Sequence, residues 1–290
     1  YAGSFGMGIF RSADRGGSWT SANQGLTDPF VLCLTTGKDG AIYAGTFRGG
    51  VFRSRDGGKI WQPVNKGLKR LEIKALMMDA KGLYAGTGDG VYLLNAAQDQ
   101  WKVVSTGLDE ILVHALARTD DGTLYAGTSG KGVHSYKERS TGWTRLRQGL
   151  RDHEGLVENF IRVLAVDKEQ GVYAGTFDGG VFRSGDAGKT WSPISRALPN
   201  DSIRGLISNE RGVYVATGRG IFKTVDKGRQ WVPLNKGLSN LSVQVLIEGE
   251  KGGFYAGTSS GVFRSDDDGL TWTAVSQGLE GESVAPFKFN

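Results

Sequence analysis

The sequence predicts an all-β fold, a single seven-bladed β-propeller, and three observations predict it. Tyr-Ala-Gly-Thr, or a close variant, begins at Tyr1, Tyr43, Tyr84, Tyr125, Tyr173, Tyr214 and Tyr255, at spacings of 42, 41, 41, 48, 41 and 41 residues. A tryptophan follows each of these tyrosines by 17 or 18 residues: Trp19, Trp61, Trp101, Trp143, Trp191, Trp231 and Trp272. A leucine follows each tryptophan by seven residues, from Leu26 to Leu279, and in every repeat but the one ending at Leu198 it sits in a Gly-Leu pair. A fixed period near 40 residues is the mark of a repeat architecture, and the content of each repeat decides which one.

Each repeat reads as four short strands. In the second, residues 31–37 (VLCLTTG) are strand a, 41–47 (AIYAGTF) strand b, 49–54 (GGVFRS) strand c and 61–65 (WQPVN) strand d. The intervening Lys-Asp-Gly, Arg-Gly-Gly and Asp-Gly-Gly tripeptides are turn chemistry that tolerates positive φ. Four strands in about 41 residues make a propeller blade. A helical solenoid is excluded by the short strands and by the missing 3.6-residue periodicity. The 46 glycines among 290 residues, against a usual share of about 7%, belong to these turns and not to flexible linkers.

The ends fit a ring. The chain opens in strand b, and residues 283–289 (SVAPFKF) fall where every other repeat starts strand a, with Phe287 eight residues after Leu279 as Leu34 is after Leu26. The C-terminal strand is therefore expected to pair with the blade that begins at Tyr1, closing the ring and removing exposed edges. Residues 1–290 are expected to form one propeller domain and a monomer.

Composition works mainly by exclusion. Cys33 is the single cysteine and there are three histidines, so neither an internal disulfide nor a Cys- or His-rich metal site is expected, and no cofactor. No apolar run approaches the 18 or so residues of a membrane span. The net charge of +5 comes without a run of Lys/Arg, which argues against nucleic acid.

The turn between strands c and d carries Ser/Thr-x-Asp-x-Gly-x-x-Trp. It occurs as Ser12-Asp14-Gly16-Trp19, Ser54-Asp56-Gly58-Trp61, Ser184-Asp186-Gly188-Trp191, Thr224-Asp226-Gly228-Trp231 and Ser265-Asp267-Gly269-Trp272. The third and fourth repeats keep only the tryptophan. Such an Asp and Ser can satisfy each other and the turn backbone while glycine takes positive φ. In these motifs, across the whole chain, the sequence resembles the Asp-box (BNR) repeat β-propellers. In size and plan it is most similar to the photosystem II stability/assembly-factor-like propellers, among relatives that include sialidases, xyloglucanase-type hydrolases and sortilin-type receptors. The resemblance implies that Asp14, Asp56, Asp186, Asp226 and Asp267 are structural, that ligands bind on the opposite face, and that the protein is secreted or periplasmic.

That opposite, upper face holds the candidate site. Aligned on Leu34, Leu76, Leu116, Leu164, Leu206, Leu246 and Phe287, the a strands place Leu32, Lys74, His114, Arg162, Arg204, Gln244 and Ala285 at one level. Five neighbouring blades thus present a polar or basic group between apolar flanks, and cations sharing a channel mouth attract anions. The b–c loops add Arg48 and Arg219, with Asp89, Lys131 and Asp178, and Phe47 and Phe177 precede two of them. One enlarged loop, 151–160 (RDHEGLVENF), brings Asp152, His153, Glu154 and Glu158. A recurring strand-c cation (Arg11, Arg53, Arg183, Lys223, Arg264) reads as an outward or inter-blade pairing role and not a site. The expected function is a non-catalytic binding or scaffold propeller that takes an acidic protein or carboxylate-bearing ligand. A glycan-binding propeller is the alternative, and a glycoside hydrolase a more distant one, with Asp28, Glu72, Glu110, Glu154 and Asp201 as its candidate carboxylates. A sialidase site is not expected, because the tyrosines are repeat residues with no paired glutamate.

Overall fold

The computed structural model describes residues 1–95, 97, 99–104, 106–146, 148–150, 160–199, 202–249, 252–279 and 284–287. It holds seven four-stranded antiparallel sheets, each with its strands in the spatial order a-b-c-d. In blade 2 these are Val31–Thr36, Ile42–Thr46, Val51–Ser54 and Gln62–Pro63. The seven a strands pack side by side around the axis, and the C-terminal Val284–Phe287 lies between the a strands of blades 7 and 2. It pairs with Ala2–Ser4 through Ala2↔Phe287 and Ser4↔Val284, so the ring closes as the repeat phase predicts.

Strand b is the most buried element of every blade, because Tyr-Ala-Gly-Thr has neighbours on both faces. All five residues of Ile42–Thr46 are buried, and the threonine hydroxyl is satisfied within its blade, donating to the Gly50 carbonyl at 3.1 Å. Strand d is shorter than the sequence suggests. It has two residues in blades 1, 2, 5, 6 and 7, and Trp61 stands just outside it. In three of those blades the second residue is proline (Pro63, Pro193, Pro233), which cannot donate to the ladder. Where the Asp box is missing the c–d hairpin runs on instead. In blade 3 it pairs continuously from Tyr92↔Val103 to Asn95↔Gln100.

The Asp boxes are self-contained turns. Ser184 Oγ donates to Asp186 Oδ1 at 2.7 Å and accepts the Gly188 amide at 2.7 Å, while the Thr190 amide and hydroxyl donate to the same carboxylate. Asp14, Asp56, Asp226 and Asp267 repeat the scheme. The Thr190 and Ser184 donors hold the Asp186 pKa down to about 2.

Blades are joined through the tryptophans. Five of them donate Nε1–H to a carbonyl of the preceding blade, for example Trp61 to Ala22 at 2.8 Å and Trp101 to Val64 at 2.7 Å. Four of the five strand-c cations pair with a carboxylate among the described residues, and two of them do so across a blade boundary. Arg53 reaches both Asp99 oxygens of the next blade at 2.6 and 3.0 Å, and Lys223 reaches Asp268 of the next blade at 2.5 Å. Arg183 and Arg264 bond carboxylates of their own blades, Asp167 and Asp266.

Candidate functional site

The aligned a-strand position has a structural cause that the sequence pattern hides. In every blade the a–b register slips by one residue at this level. Val31 faces Thr46 and Cys33 faces Gly45, leaving Leu32 as the extra residue. The same slip singles out Lys74, His114, Arg162, Arg204 and Gln244. In blade 1 it falls between Val284 and Phe287, the span that contains Ala285. A β-bulge leaves one residue unpaired and re-aims its side chain. Seven bulges at one level make a ring of positions freed from the sheet alternation, and five consecutive blades fill it with polar or basic residues.

These groups are half-buried and feel one another. Lys74 pairs with Glu72 at 2.9 Å. Arg204 Nη1 donates to Ser242 Oγ at 3.0 Å, and Gln244 Nε2 donates to the same oxygen at 3.2 Å. Among the described residues Arg162 donates only to Ser202 Oγ, at a long 3.4 Å. Neither Arg162 nor Arg204 meets a carboxylate among the described residues, and Arg204 Nε is buried without a partner. Burial lowers the Arg162 pKa, and the Arg204 charge beside it adds to the shift. His114 is pushed down to about 4, first by burial and then by Lys74 and Arg162, with Glu72 opposing.

That shift sets a pH expectation. The folded value lies below the ordinary 6.5, so the unfolded chain binds the proton first. Neutral His114 contributes stability that is whole above about pH 6.5 and is lost as pH falls toward 4. A histidine NMR titration is expected to place His114 near pH 4, and a midpoint near 6.5 would contradict its enclosure between two cations.

The sequence reading named Phe47 and Phe177 beside the b–c loops but missed the aromatic frame that they form with Phe5, Phe30 and Phe160. Phe5, Phe30 and Phe47 cluster across blades 1 and 2, with Phe5–Phe30 centroids 4.8 Å apart and Phe5–Phe47 6.1 Å. Phe160 and Phe177 lie 6.2 Å apart in blade 5, and His114 lies 6.4 Å from Phe160. Phe5 is 60% exposed, Phe177 52% and Phe160 46%. The cations lie over these rings: Arg48 and Lys74 at 5.2 and 5.6 Å from the Phe47 centroid, and Arg162 at 5.2 Å from that of Phe177. The available signal was positional, since phenylalanine ends strand b in three repeats (Phe5, Phe47, Phe177) and precedes strand a in two (Phe30, Phe160).

The remaining candidates divide. Arg48 joins the frame, whereas Arg219 stays apart, exposed, with Nη1 3.4 Å from the Pro199 carbonyl. Asp152, His153 and Glu154 lie outside the described residues, as do Glu158 and Asp201. Asp28 serves the backbone. Burial works against its charge, yet amides of Arg48 (2.6 Å), Phe30 (3.1 Å) and Gly49 (2.7 Å) keep its pKa below the ordinary value. No cluster of three metal-ligating side chains exists among the described residues. None of their helices is long and apolar enough to cross a membrane.

Comparisons with known proteins agree with the fold. The family model of the BNR-Asp box repeat matches residues 9–22. No curated protein matches the sequence. Among solved structures the chain is similar to the extracellular domain of a proposed hybrid two-component system of B. thetaiotaomicron, with a TM-score of 0.73 at 19% identity over 87% of this chain and 34% of that one. It is also similar to the Niastella koreensis GH74 enzyme, with a TM-score of 0.70 at 14% identity over 95% of this chain and 52% of that one. A third is PorZ, a surface component of the type-IX secretion system of Porphyromonas gingivalis, with a TM-score of 0.63 at 17% identity over 89% and 34%. The chain thus spans about a third to a half of each of these proteins. At such identities the likeness is one of fold.

Proposed function

We propose that this Asp-box repeat propeller is a non-catalytic binding module whose upper channel mouth takes an acidic, carboxylate-bearing segment of a partner protein. One observation carries the reading: the bulge ring presents Arg162 and Arg204 side by side, half-buried and without a carboxylate among the described residues. Holding two like charges there costs free energy that an incoming carboxylate relieves. The exposed phenylalanines around the ring add apolar anchors, and an exposed apolar patch beside charges is the mark of an interaction surface.

A glycan reading is favoured less by the same geometry. Sugar stacking needs an open aromatic face, and Phe47 and Phe177 carry their own cations. The repeated tryptophans are spent on blade packing, as Trp61 at 2% exposure shows. The GH74 likeness keeps a hydrolase as the other reading. Against it, Asp28 is bound by three amides and Glu72 by Lys74, which leaves neither free as a general acid or base.

An oligoglutamate peptide is the direct probe. Calorimetric titration should detect binding that weakens with salt, and Arg162→Ala/Arg204→Ala should weaken it about tenfold or more. Equal affinity of the double variant would remove the basic mouth from the function. Strong signals on a glycan array, lost in Phe177→Ala, would favour the sugar reading instead.

A further inference from the structure

The face opposite the bulge ring, where the a–b and c–d turns lie, holds a second departure from the repeat, and there it opens a cavity. In blades 1, 5, 6 and 7 the Asp-box glycine lies on the residue three past the preceding blade's tryptophan: Gly16 on Val275, Gly188 on Leu146, Gly228 on Ile194 and Gly269 on Leu234. In blade 3 that residue is Val104, and blade 4 has no Asp box to cover it. A second change falls at the same place. Leu93 occupies the strand-c position that Arg53 holds in blade 2, both facing the repeat tyrosine (Leu93↔Tyr84, Tyr43↔Arg53). The repeat's lid and the repeat's cation are therefore both missing at the boundary of blades 3 and 4.

The result is an open cavity of about 830 Å³ at the lower edges of blades 2 to 4. That is the size of a small-molecule site, which spans roughly 300–1,000 Å³. Its walls are apolar: Leu83, Leu93, Val104 and Leu124, with Tyr84 and Tyr136. Two ion pairs line it, Arg118 with Asp79 and Lys81 with Glu138. Arg118 Nη1 also donates to the Tyr84 hydroxyl at 3.1 Å. Lys38 and Lys102 line it as well and pair with no carboxylate among the described residues. The last lining charge, Asp39, accepts the Ala41 amide of its own turn at 3.2 Å. Asp39 keeps its charge, so beyond the two ion pairs two lysines stand against one carboxylate, and the surplus of one positive charge in an apolar chamber matches an apolar body that carries one negative head.

We propose that this cavity is a binding site for a medium-chain aliphatic monocarboxylate, with the chain against Leu93 and Val104 and the carboxylate between Lys38 and Lys102. The site is separate from the upper mouth and independent of the reading given to it.

Dodecanoate, kept below its micellar concentration, is the probe, titrated calorimetrically into the full chain. One saturable site per chain is expected. Leu93→Arg restores the repeat's own residue and fills the cavity, and should weaken binding about tenfold or more. Val104→Phe fills it from the other side and serves if Leu93→Arg does not fold by circular dichroism. Lys38→Gln/Lys102→Gln should weaken dodecanoate several-fold and leave dodecan-1-ol unchanged, while Arg162→Ala/Arg204→Ala should change neither. Absence of saturable binding, unchanged affinity in a folded cavity-filling variant, or loss through the Arg162/Arg204 pair would each overturn the proposal.

Discussion

Trp61→Ala is expected to lower the stability of the propeller by about 3–5 kcal/mol, the range for deleting a large buried aromatic side chain. Trp61 is 2% exposed and packs among Ile9, Val31 and Phe52, which belong to blades 1 and 2. The substitution therefore opens a cavity at a blade boundary, where no strand pairing compensates for it. Trp61 also donates Nε1–H to the Ala22 carbonyl at 2.8 Å, and losing that donor leaves the carbonyl to find water or go unpaired. The two contributions separate with phenylalanine. Trp61→Phe keeps most of the ring burial and loses the bond, so it should cost about 1–3 kcal/mol. Trp191 is the internal control, because its Nε1 is buried without a partner among the described residues. Trp191→Phe should cost less than Trp61→Phe. Urea midpoints at unchanged m-value make the comparison, and equal costs at the two sites would mean that the inter-blade bond contributes nothing measurable.

The contrast between these tryptophans also shows which parts of the molecule could be read in advance. Blade number, blade phase and ring closure were legible because each blade repeats the same burial problem. Tyr-Ala-Gly-Thr must fit between two sheets, and the tryptophan must reach the preceding blade. The strand-c cations were legible only in part: Arg53 and Lys223 bridge blades as expected, whereas Arg183 and Arg264 find carboxylates of their own blades, because the partner acid does not recur with the repeat. The candidate site was legible only as a list of positions. Lys74, His114, Arg162, Arg204 and Gln244 could be aligned, but a bulge is a property of the pairing between two strands. Cys33 and Val31 flank Leu32 in ordinary alternation and give no sign that the partner strand skips a step. The aromatic frame was hidden differently. Phe5, Phe30 and Phe47 are 17 to 42 residues apart in the chain, and only the blade geometry brings their rings within 4.8 and 6.1 Å. The lower cavity follows from an absence. The lost Asp boxes of blades 3 and 4 were visible, yet what the missing turn would have covered could be known only from Gly188 on Leu146 and its equivalents.

Gly67→Ala, a single added methyl group, is expected to destabilise the protein by about 2–4 kcal/mol, because strain and overpacking act together. Gly67 belongs to the recurring Gly-Leu pair and has a φ of +97°, a conformation L-residues rarely adopt. A Cβ there would stand 2.3 Å from the Trp101 carbonyl oxygen, a backbone atom that cannot swing aside. The same short segment binds the next blade, since the Trp101 amide donates to the Lys66 carbonyl at 2.8 Å. Moving the backbone to admit the methyl would thus stretch a blade-to-blade bond. Ala197 is the natural counter-example. It replaces the glycine in blade 5, lies outside the positive-φ residues, and leaves no bond from the Trp231 amide to the Arg196 carbonyl among the described residues. Ala197→Gly should therefore change stability by less than about 1 kcal/mol, the cost of added freedom in the unfolded chain. If Gly67→Ala proved as mild in a denaturant titration, the Gly-Leu pair would be a turn preference alone and not the joint that holds one blade to the next.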